Sequence, residues 1–417
     1  MEALELGLRE ALLKDGRQLL EQLLQDPNLS VPHNQTQPGE KCHSQRAKAV
    51  QTLFGEIEIQ RNYFYCAATG QGRAPLDEAL GLLDGYSPGL VRLGCRAAAR
   101  CGYLGASEDL QALAAITLDG RQIQRIVNRI GPKVAEQLQK QTPALPGEPI
   151  AVFYVEVDGT GVPMVAEELT GRKGKQADGS STTREAKLGA TFTQTATDAE
   201  GWPIRDFEST SYVGSLEGAE AFGLRVRQET QRRGIARAGK VVFLGDGAAW
   251  IWELARVNFP LAILILDFYH AAERLHQLCA ALYGQDTPAA KGQKQRWQQL
   301  LLDDQVGQVI AAARRRLQKM GPAADPQLEK QIGYFENNQD KMKYQTYRKA
   351  GYFYGSGVVE AGCKVVIGQR LKNSGMFWTE SGAQNVLNLR CALLSHRWEE
   401  CWNQINGLNT FQAKVAA

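Results

Sequence analysis

No stretch of this chain approaches the roughly 20 consecutive apolar residues that a membrane-crossing helix requires. The opening MEALELGLREALLKDG is acidic and amphipathic, and it lacks the charged-then-apolar layout of a secretory signal. The expected location is therefore the cytoplasm. No Cys-x-x-Cys pair occurs among the eight cysteines, which fall at positions 42, 66, 95, 101, 279, 363, 391 and 401. A chain of 417 residues needs no disulfide staples, so reduced thiols are expected. Cys42, His43 and Cys66, with His33 nearby, come closest to a zinc site. A closed structural site wants four tightly spaced ligands, and Thr69 stands where a partner of Cys66 would be. Free thiols are the preferred reading. Internal repeats and low-complexity tracts are also missing.

Net charge is small, at +3, and alone says nothing about a polyanionic partner. Its distribution says more. Between Lys291 and Lys349, twelve Lys or Arg stand against six Asp or Glu, a local excess larger than the charge of the whole chain. Such a segment suits a polyanion, or forms a solvated helical surface. The remaining composition, 43% hydrophobic and 22% charged, is that of a globular protein with one large domain and one or two small ones.

The first 30 residues read as a helix ending before Asp26-Pro27, followed by a polar loop to about Arg46. Residues 52–66 (TLFGEIEIQRNYFYC) alternate apolar and polar side chains, which predicts a short hairpin. Pro75 starts a new helical stretch. Ser107 can cap a short helix carrying Leu110 and Leu113. Asp119 and Gln122 form a capping-box pattern opening a second helix. There Arg121, Arg125 and Arg129 recur every four residues, opposite Ile123, Ile126, Val127 and Ile130. Gly131-Pro132 should end or kink that helix, which leaves Lys133 as the stripe's least secure member. The pair reads as a helix-turn-helix whose second helix enters a major groove, or as an amphipathic helix with a solvated face.

Pro143–Pro149 reads as a linker. Beyond it, AVFYVEVD (151–158) predicts a strand apolar on both faces, hence central in a sheet. Strands follow at 187–196 and 201–212, joined by a turn at Asp198–Gly201, then a helix over about 215–233. Next come strand 240–246, helix 248–258, strand 261–267 and helix 268–283. Three antiparallel strands followed by two parallel ones with helical crossovers is the order of an RNase H-like fold. Residues 284–350 read as helix and loop, and GSGVVEAGCK at 355–364 begins a further helix.

Two strands end in Asp-Gly, at Asp158 and Asp246, and ligands of such sheets bind beyond the carboxyl ends of the strands. If the strands are neighbours, about 4.8 Å apart, the two carboxylates project side by side and suit Mg²⁺. Strand-terminal Asp-Gly pairs are otherwise simply good turns. Asp267 competes for the second position, but its strand should lie one further out, roughly 10 Å from Asp158. A third ligand is expected from the helix after the last strand. Glu360, with Lys364 one turn on, is the candidate; the bland alternative for it is a surface Glu–Lys pair. Glu380 is the other possible ligand, and the residues alone do not choose.

The segments VDGT, GDGAAWIW, LDFYHAAERL, GSGVVEAGCKVVIGQRLKNSGMFW and NVLNLR resemble those of the ISKra family of bacterial insertion-sequence transposases. That family is similar to the mutator-like DDE transposases. The resemblance runs from about residue 75 to Trp402. It implies a metal triad of Asp158, Asp246 and Glu360 holding Mg²⁺ or Mn²⁺, and makes Asp267–His270 an Asp-x-x-His signature. His270 could orient a phosphate or a ligand, or, as the preferred reading, support the site locally, bonded to Asp267. Trp378 with Arg370 and Lys372 combines a stacking surface with positive charge, or forms part of the core. Relatives often carry Cys-x-x-Cys where this chain has Cys66-Ala-Ala-Thr69.

The expected architecture is α/β. A small region at 1–74 and a helix-turn-helix DNA-binding region at 75–145 precede an RNase H-like core at 150–283 and 351–402. A basic helical insertion at 284–350 interrupts the core. The implied activity is cleavage of transposon ends and joining of the 3′-hydroxyl to target DNA by two-metal phosphoryl transfer. The partners would be double-stranded DNA and further copies of the chain when DNA is bound. A structure-selective nuclease on the same fold, or a non-catalytic DNA-binding descendant, are the alternatives.

Overall fold

The computed structural model describes residues 1–25, 36–140, 147–172, 174, 176, 180–321 and 326–406. His33 and most of the expected linker lie outside them. Two compact units emerge, Met1–Leu138 with Asn388–Leu393 and Arg397–Ala417, and Gln139–Leu387 with Leu394–His396. Part of the 351–402 segment expected in the core thus groups with the N-terminal residues. Among the described residues no helix is long and apolar enough to cross a membrane.

In the first unit α1 covers Glu2–Gln25, and its expected end at Asp26-Pro27 lies outside the described residues. Within the loop expected up to Arg46, residues 40–46 are instead strand. β1 (Glu40–Thr52) pairs antiparallel with β2 (Gly55–Cys66), and β3 (Gln71–Arg73) pairs with β2. β1 escaped notice because its sequence, EKCHSQRAKAVQT, is polar and mostly exposed along its length. Cross-strand pairing holds most of its length, and only its end is buried, at Val50 and Thr52. Val50, Ile57 and Ile59 bury against Leu76 of α2 (Pro75–Ala79), with Leu20 and Leu24 of α1 alongside.

After α3 (Pro88–Arg100), α4 spans Tyr103–Ala114. Ser107 therefore lies inside α4 rather than capping it, and its hydroxyl donates to the Leu118 carbonyl at 2.5 Å, latching the turn. α5 runs over Gly120–Gln139. The capping box ahead of it forms in both directions. Gln122 N–H donates to Asp119 Oδ1, and Asp119 N–H to Gln122 Oε1, each at 2.8 Å.

The expected stop at Gly131-Pro132 does not occur, and Pro132 sits inside α5. A mid-helix proline costs about 3 kcal/mol. Burying Val127, Ile130 and Val134, each no more than 3% exposed, recovers about 1.5–3 kcal/mol apiece. Burial wins. Lys133 is consequently on the helix, and Arg121, Arg125, Arg129 and Lys133 all face solvent.

The second unit holds a five-stranded mixed sheet. Its strands are β4 (Ile150–Pro163), β5 (Thr183–Gln194), β8 (Ser211–Ser215), β9 (Ala238–Gly245) and β10 (Ile263–Leu266), in the order β10-β9-β4-β5-β8. β9 is parallel to both β4 and β10, whereas β5 is antiparallel to β4 and β8. β4 is central, as its sequence predicts. Val152 and Tyr154 enter one core, and Phe153, Val155 and Val157 the other.

The turn at Asp198–Gly201 forms, with Gly201 at φ +82°. It joins a separate two-stranded ribbon, β6 (Ala196–Thr197) and β7 (Pro203–Ile204), rather than two strands of the main sheet. The expected strand 201–212 is displaced to 211–215 because Asp206 bonds Thr193 Oγ, Thr195 N–H and Thr195 Oγ, fixing the intervening segment as a loop.

α6 (Ala219–Arg232) and α7 (Ala249–Asn258) cover one face. α8 (Phe268–Tyr283) covers the other, backed by α9 (Pro288–Leu302), α10 (Val306–Met320), α11 (Pro326–Asn338) and α12 (Tyr344–Lys349). The hydroxyls of Tyr344 and Tyr347 donate to the Leu266 and Leu264 carbonyls of β10, at 3.1 and 3.2 Å. Carbonyls of the strand at the sheet's edge are thereby satisfied.

The chain returns through α13 (Gly357–Gly362), a π-helical stretch (Cys363–Gly368), and α14 (Gln369–Leu371). α15 (Glu380–Leu394) and α16 (Trp398–Asn406) complete the described chain. Gly362 is needed for close approach. A Cβ there would lie 2.7 Å from the Tyr212 ring and 2.9 Å from Leu188.

Candidate metal centre

Strand register sets the site. Glu156 pairs with Leu244 across β4 and β9, and Leu266 pairs with Gly245 across β10 and β9. Continued past the strand ends, the same register sets Asp158 beside Asp246 and Asp246 beside Asp267. Three carboxylates thus stand in a row at one edge of the sheet. Asp158 Oδ1 accepts from Gly159 N–H at 2.6 Å, and Asp246 Oδ1 from Ala248 N–H at 2.9 Å. Both side chains are half-buried. Burial, then the neighbouring Asp246 charge, raises the Asp158 carboxyl, against bonds from Gly159 N–H and the Cys363 thiol.

Asp267 is fully buried and caps α8. Its Oδ1 accepts from Tyr269 N–H at 2.6 Å and His270 N–H at 3.3 Å. Its Oδ2 accepts from the Ser356 amide at 2.9 Å and from the Ser356 hydroxyl. His270 Nδ1 lies 3.4 Å from the same oxygen. Although burial pushes Asp267 up, the bonds from His270 and Ser356 outweigh it and hold the acid at about 2. The Asp267 bond raises His270 to about 9 against its own burial, helped by the Asp246 and Glu360 charges.

Glu360 lies in α13, with Oε1 3.1 Å from the Ser356 hydroxyl and 4.0 Å from His270 Nδ1. Ligand atoms of Asp267, His270 and Glu360 all fall within 4.8 Å of one another, the only such group of three or more among the described residues. The structure therefore brings Glu360 to Asp267 and His270 more tightly than to Asp158 and Asp246. Asp267 is a structural acid as well as a neighbour, since four donors occupy its two oxygens.

The donor set fits a divalent cation. Asp267, His270 and Glu360 form the group that could hold a metal ion, and His270 pairs with both acids in the salt bridges seen among the described residues. Glu380, the alternative third ligand, is instead paired with Arg184.

The other expected site residues divide. Lys364 and Lys372 are exposed, and Lys372 Nζ donates to Thr160 Oγ at 2.9 Å, two residues beyond Asp158. Arg370 and Trp378 are buried, at 0% and 7% exposure, with the guanidinium 5.1 Å from the ring centroid. Trp378 Nε1 donates to the Leu371 carbonyl, and its backbone bonds Pro163 and Val165. The stacking-surface reading of this pair is replaced by a structural one. Tyr269, beside His270, and Phe377, beside Trp378, are the exposed rings in these segments, at 68% and 67%.

Sequence reasoning missed Glu156, Ser356, Cys363 and Tyr334, whose hydroxyl donates to the Asp246 carbonyl at 2.9 Å. Glu156 had a signal: it is the one charged side chain inside the apolar run AVFYVEV.

An uncharacterised protein family, UPF0236, matches residues 1–188. That span ends within β5, so it includes Asp158 and stops short of Asp246, Asp267, His270 and Glu360. No curated protein matches the chain.

Proposed function

We propose that this chain is a DNA transposase of the DDE type, with the five-stranded sheet as an RNase H-like core and α9–α12 as an insertion before the last acid. One observation carries the reading. Asp158 and Asp246 end neighbouring parallel strands, and Glu360 returns from more than a hundred residues later to the same edge. The β10-β9-β4-β5-β8 order is the one such a core requires. Arg121, Arg125, Arg129 and Lys133 form an exposed basic face that suits double-stranded DNA.

Asp158, Asp246 and Glu360 would hold Mg²⁺ or Mn²⁺. When bound, such ions activate a water or 3′-hydroxyl and neutralise charge on the leaving oxygen of a phosphodiester. Asp267 fixes the imidazole of His270 and the start of the Glu360 helix. Lys372, beside Thr160, supplies positive charge where a phosphate backbone would pass. Bringing two DNA ends together calls for at least two copies of the chain.

The test uses purified protein, duplexes carrying the sequences that flank its coding region, and Mg²⁺ or Mn²⁺. Nicking at the ends and joining to a second DNA are expected. Asp158→Asn, Asp246→Asn and Glu360→Gln should each abolish cleavage while end binding persists. Cutting without joining would indicate a nuclease, and normal nicking by any one variant removes that residue from the mechanism.

A further inference from the structure

We infer that Glu156 is a positioning residue that sets where Glu360 stands, holding the first turn of its helix from beneath. The inference rests on the metal reading of the acidic centre.

Glu156 is two residues before Asp158 on β4 and projects to the same face. It is completely buried. Its Oε2 accepts from Val359 N–H at 2.7 Å, in the turn preceding Glu360. Val359 is the third residue of α13, so its N–H has no partner within the helix. A side chain must satisfy it, and the central strand provides that acceptor. Oε1 of Glu156 has no hydrogen-bond partner among the described residues.

A carboxyl in so buried a place is costly unless it performs a task that an apolar residue could not. Valine or isoleucine would extend the apolar run of β4 and leave Val359 N–H buried and unpaired. The start of α13 is fastened a second time from β10, where Asp267 accepts from the Ser356 amide and hydroxyl. Two strands therefore grip one turn at Ser356 and at Val359, and Glu360 is the next residue. Two fixed points define a direction, whereas one would let the turn pivot.

The probe is Mn²⁺ alone, with free ion followed by electron paramagnetic resonance on the full chain. Glu156→Leu removes the acceptor at similar volume, and Glu156→Gln keeps an oxygen of the same shape. Loss of a residue that orients a ligand weakens metal binding by about 10–100-fold, and that is the result expected for leucine, with glutamine within about threefold of wild type. A folded leucine variant that binds as tightly as wild type overturns the inference, as does a glutamine variant that binds as poorly as leucine. Should leucine not fold, glutamine decides. With valine amides labelled, Val359 N–H should keep its exchange protection and Mn²⁺ binding should persist; protection kept but binding lost overturns the role. If wild type takes up no Mn²⁺, the metal reading fails by itself. Val359 protection then judges this inference, accelerated exchange in the leucine variant supporting it and unchanged exchange refuting it.

Discussion

Asp267 and Ser356 stand 89 positions apart, yet one carboxylate oxygen of the first receives both the amide and the hydroxyl of the second. The same oxygen lies 3.4 Å from His270 Nδ1. A strand end, a helix start and the loop leading to Glu360 are thus joined at a single buried acid.

That junction predicts a stability profile with two limbs, measured by urea unfolding of the chain in chelator. Asp267 is held at about 2, below the unfolded value near 3.9. Its stabilisation is present above pH 4 and drains away as pH falls toward 2. His270 is held at about 9, above the unfolded value near 6.5. Its contribution is full below pH 6.5 and is lost as pH rises through 9. The pair is therefore worth most between about pH 4 and 6.5. Asp267→Asn should remove both limbs. A variant with the wild-type profile would show that the pair does not couple to folding.

The acids beside it should trade stability against metal. Burial and the Asp246 charge both disfavour the ionised Asp158 carboxylate. In chelator, Asp158→Asn should unfold at equal or higher denaturant than wild type, by up to about 1 kcal/mol. Added Mn²⁺ should raise the wild-type melting temperature and leave the variant's unchanged. Thermal melts with and without the ion read both effects, and a variant that is less stable without metal and still responds to it would contradict them.

Much of this was legible in the sequence for a physical reason. The two-faced apolar run before Asp158 can only be a central strand, and Asp-Gly at two strand ends gives the row of acids. What stayed hidden depended on distant partners. β1 is polar and held by pairing, Pro132 is overridden by buried neighbours, and 201–212 is held off the sheet by Asp206. The tight grouping of Glu360 with Asp267 and His270 needed Ser356, whose role appears only when the chain returns to the sheet. The basic excess of 291–349 is partly spent internally as well. Arg314 pairs with Glu329 and Glu336, and Lys341 is buried over Trp252.

The buried pair Arg370 and Trp378 should behave as core. Trp378→Ala is expected to cost about 3–5 kcal/mol of stability, because it removes a ring that packs the guanidinium and closes on Leu371. DNA affinity per folded molecule should not change. A stable variant with weakened DNA binding would restore the stacking-surface reading.

The exposed face of α5 should respond in the opposite way. Arg121, Arg125, Arg129 and Lys133 are solvent-facing, and Arg129 pairs loosely with Asp84, at 3.9 Å with both side chains exposed. Replacing Arg121 and Arg125 with Ala should leave unfolding within about 0.5 kcal/mol of wild type. If both arginines neutralise phosphates, duplex affinity falls and the slope of log affinity against log salt drops by about 0.9 for each phosphate no longer neutralised. Asp119→Ala gives the contrast. It removes the acceptor for Gln122 N–H and should cost about 0.5–2 kcal/mol of stability with the salt slope unchanged. Titrations of a fluorescent duplex across salt concentrations distinguish the two, and an unaltered slope in the arginine variant would mean that this face is merely solvated.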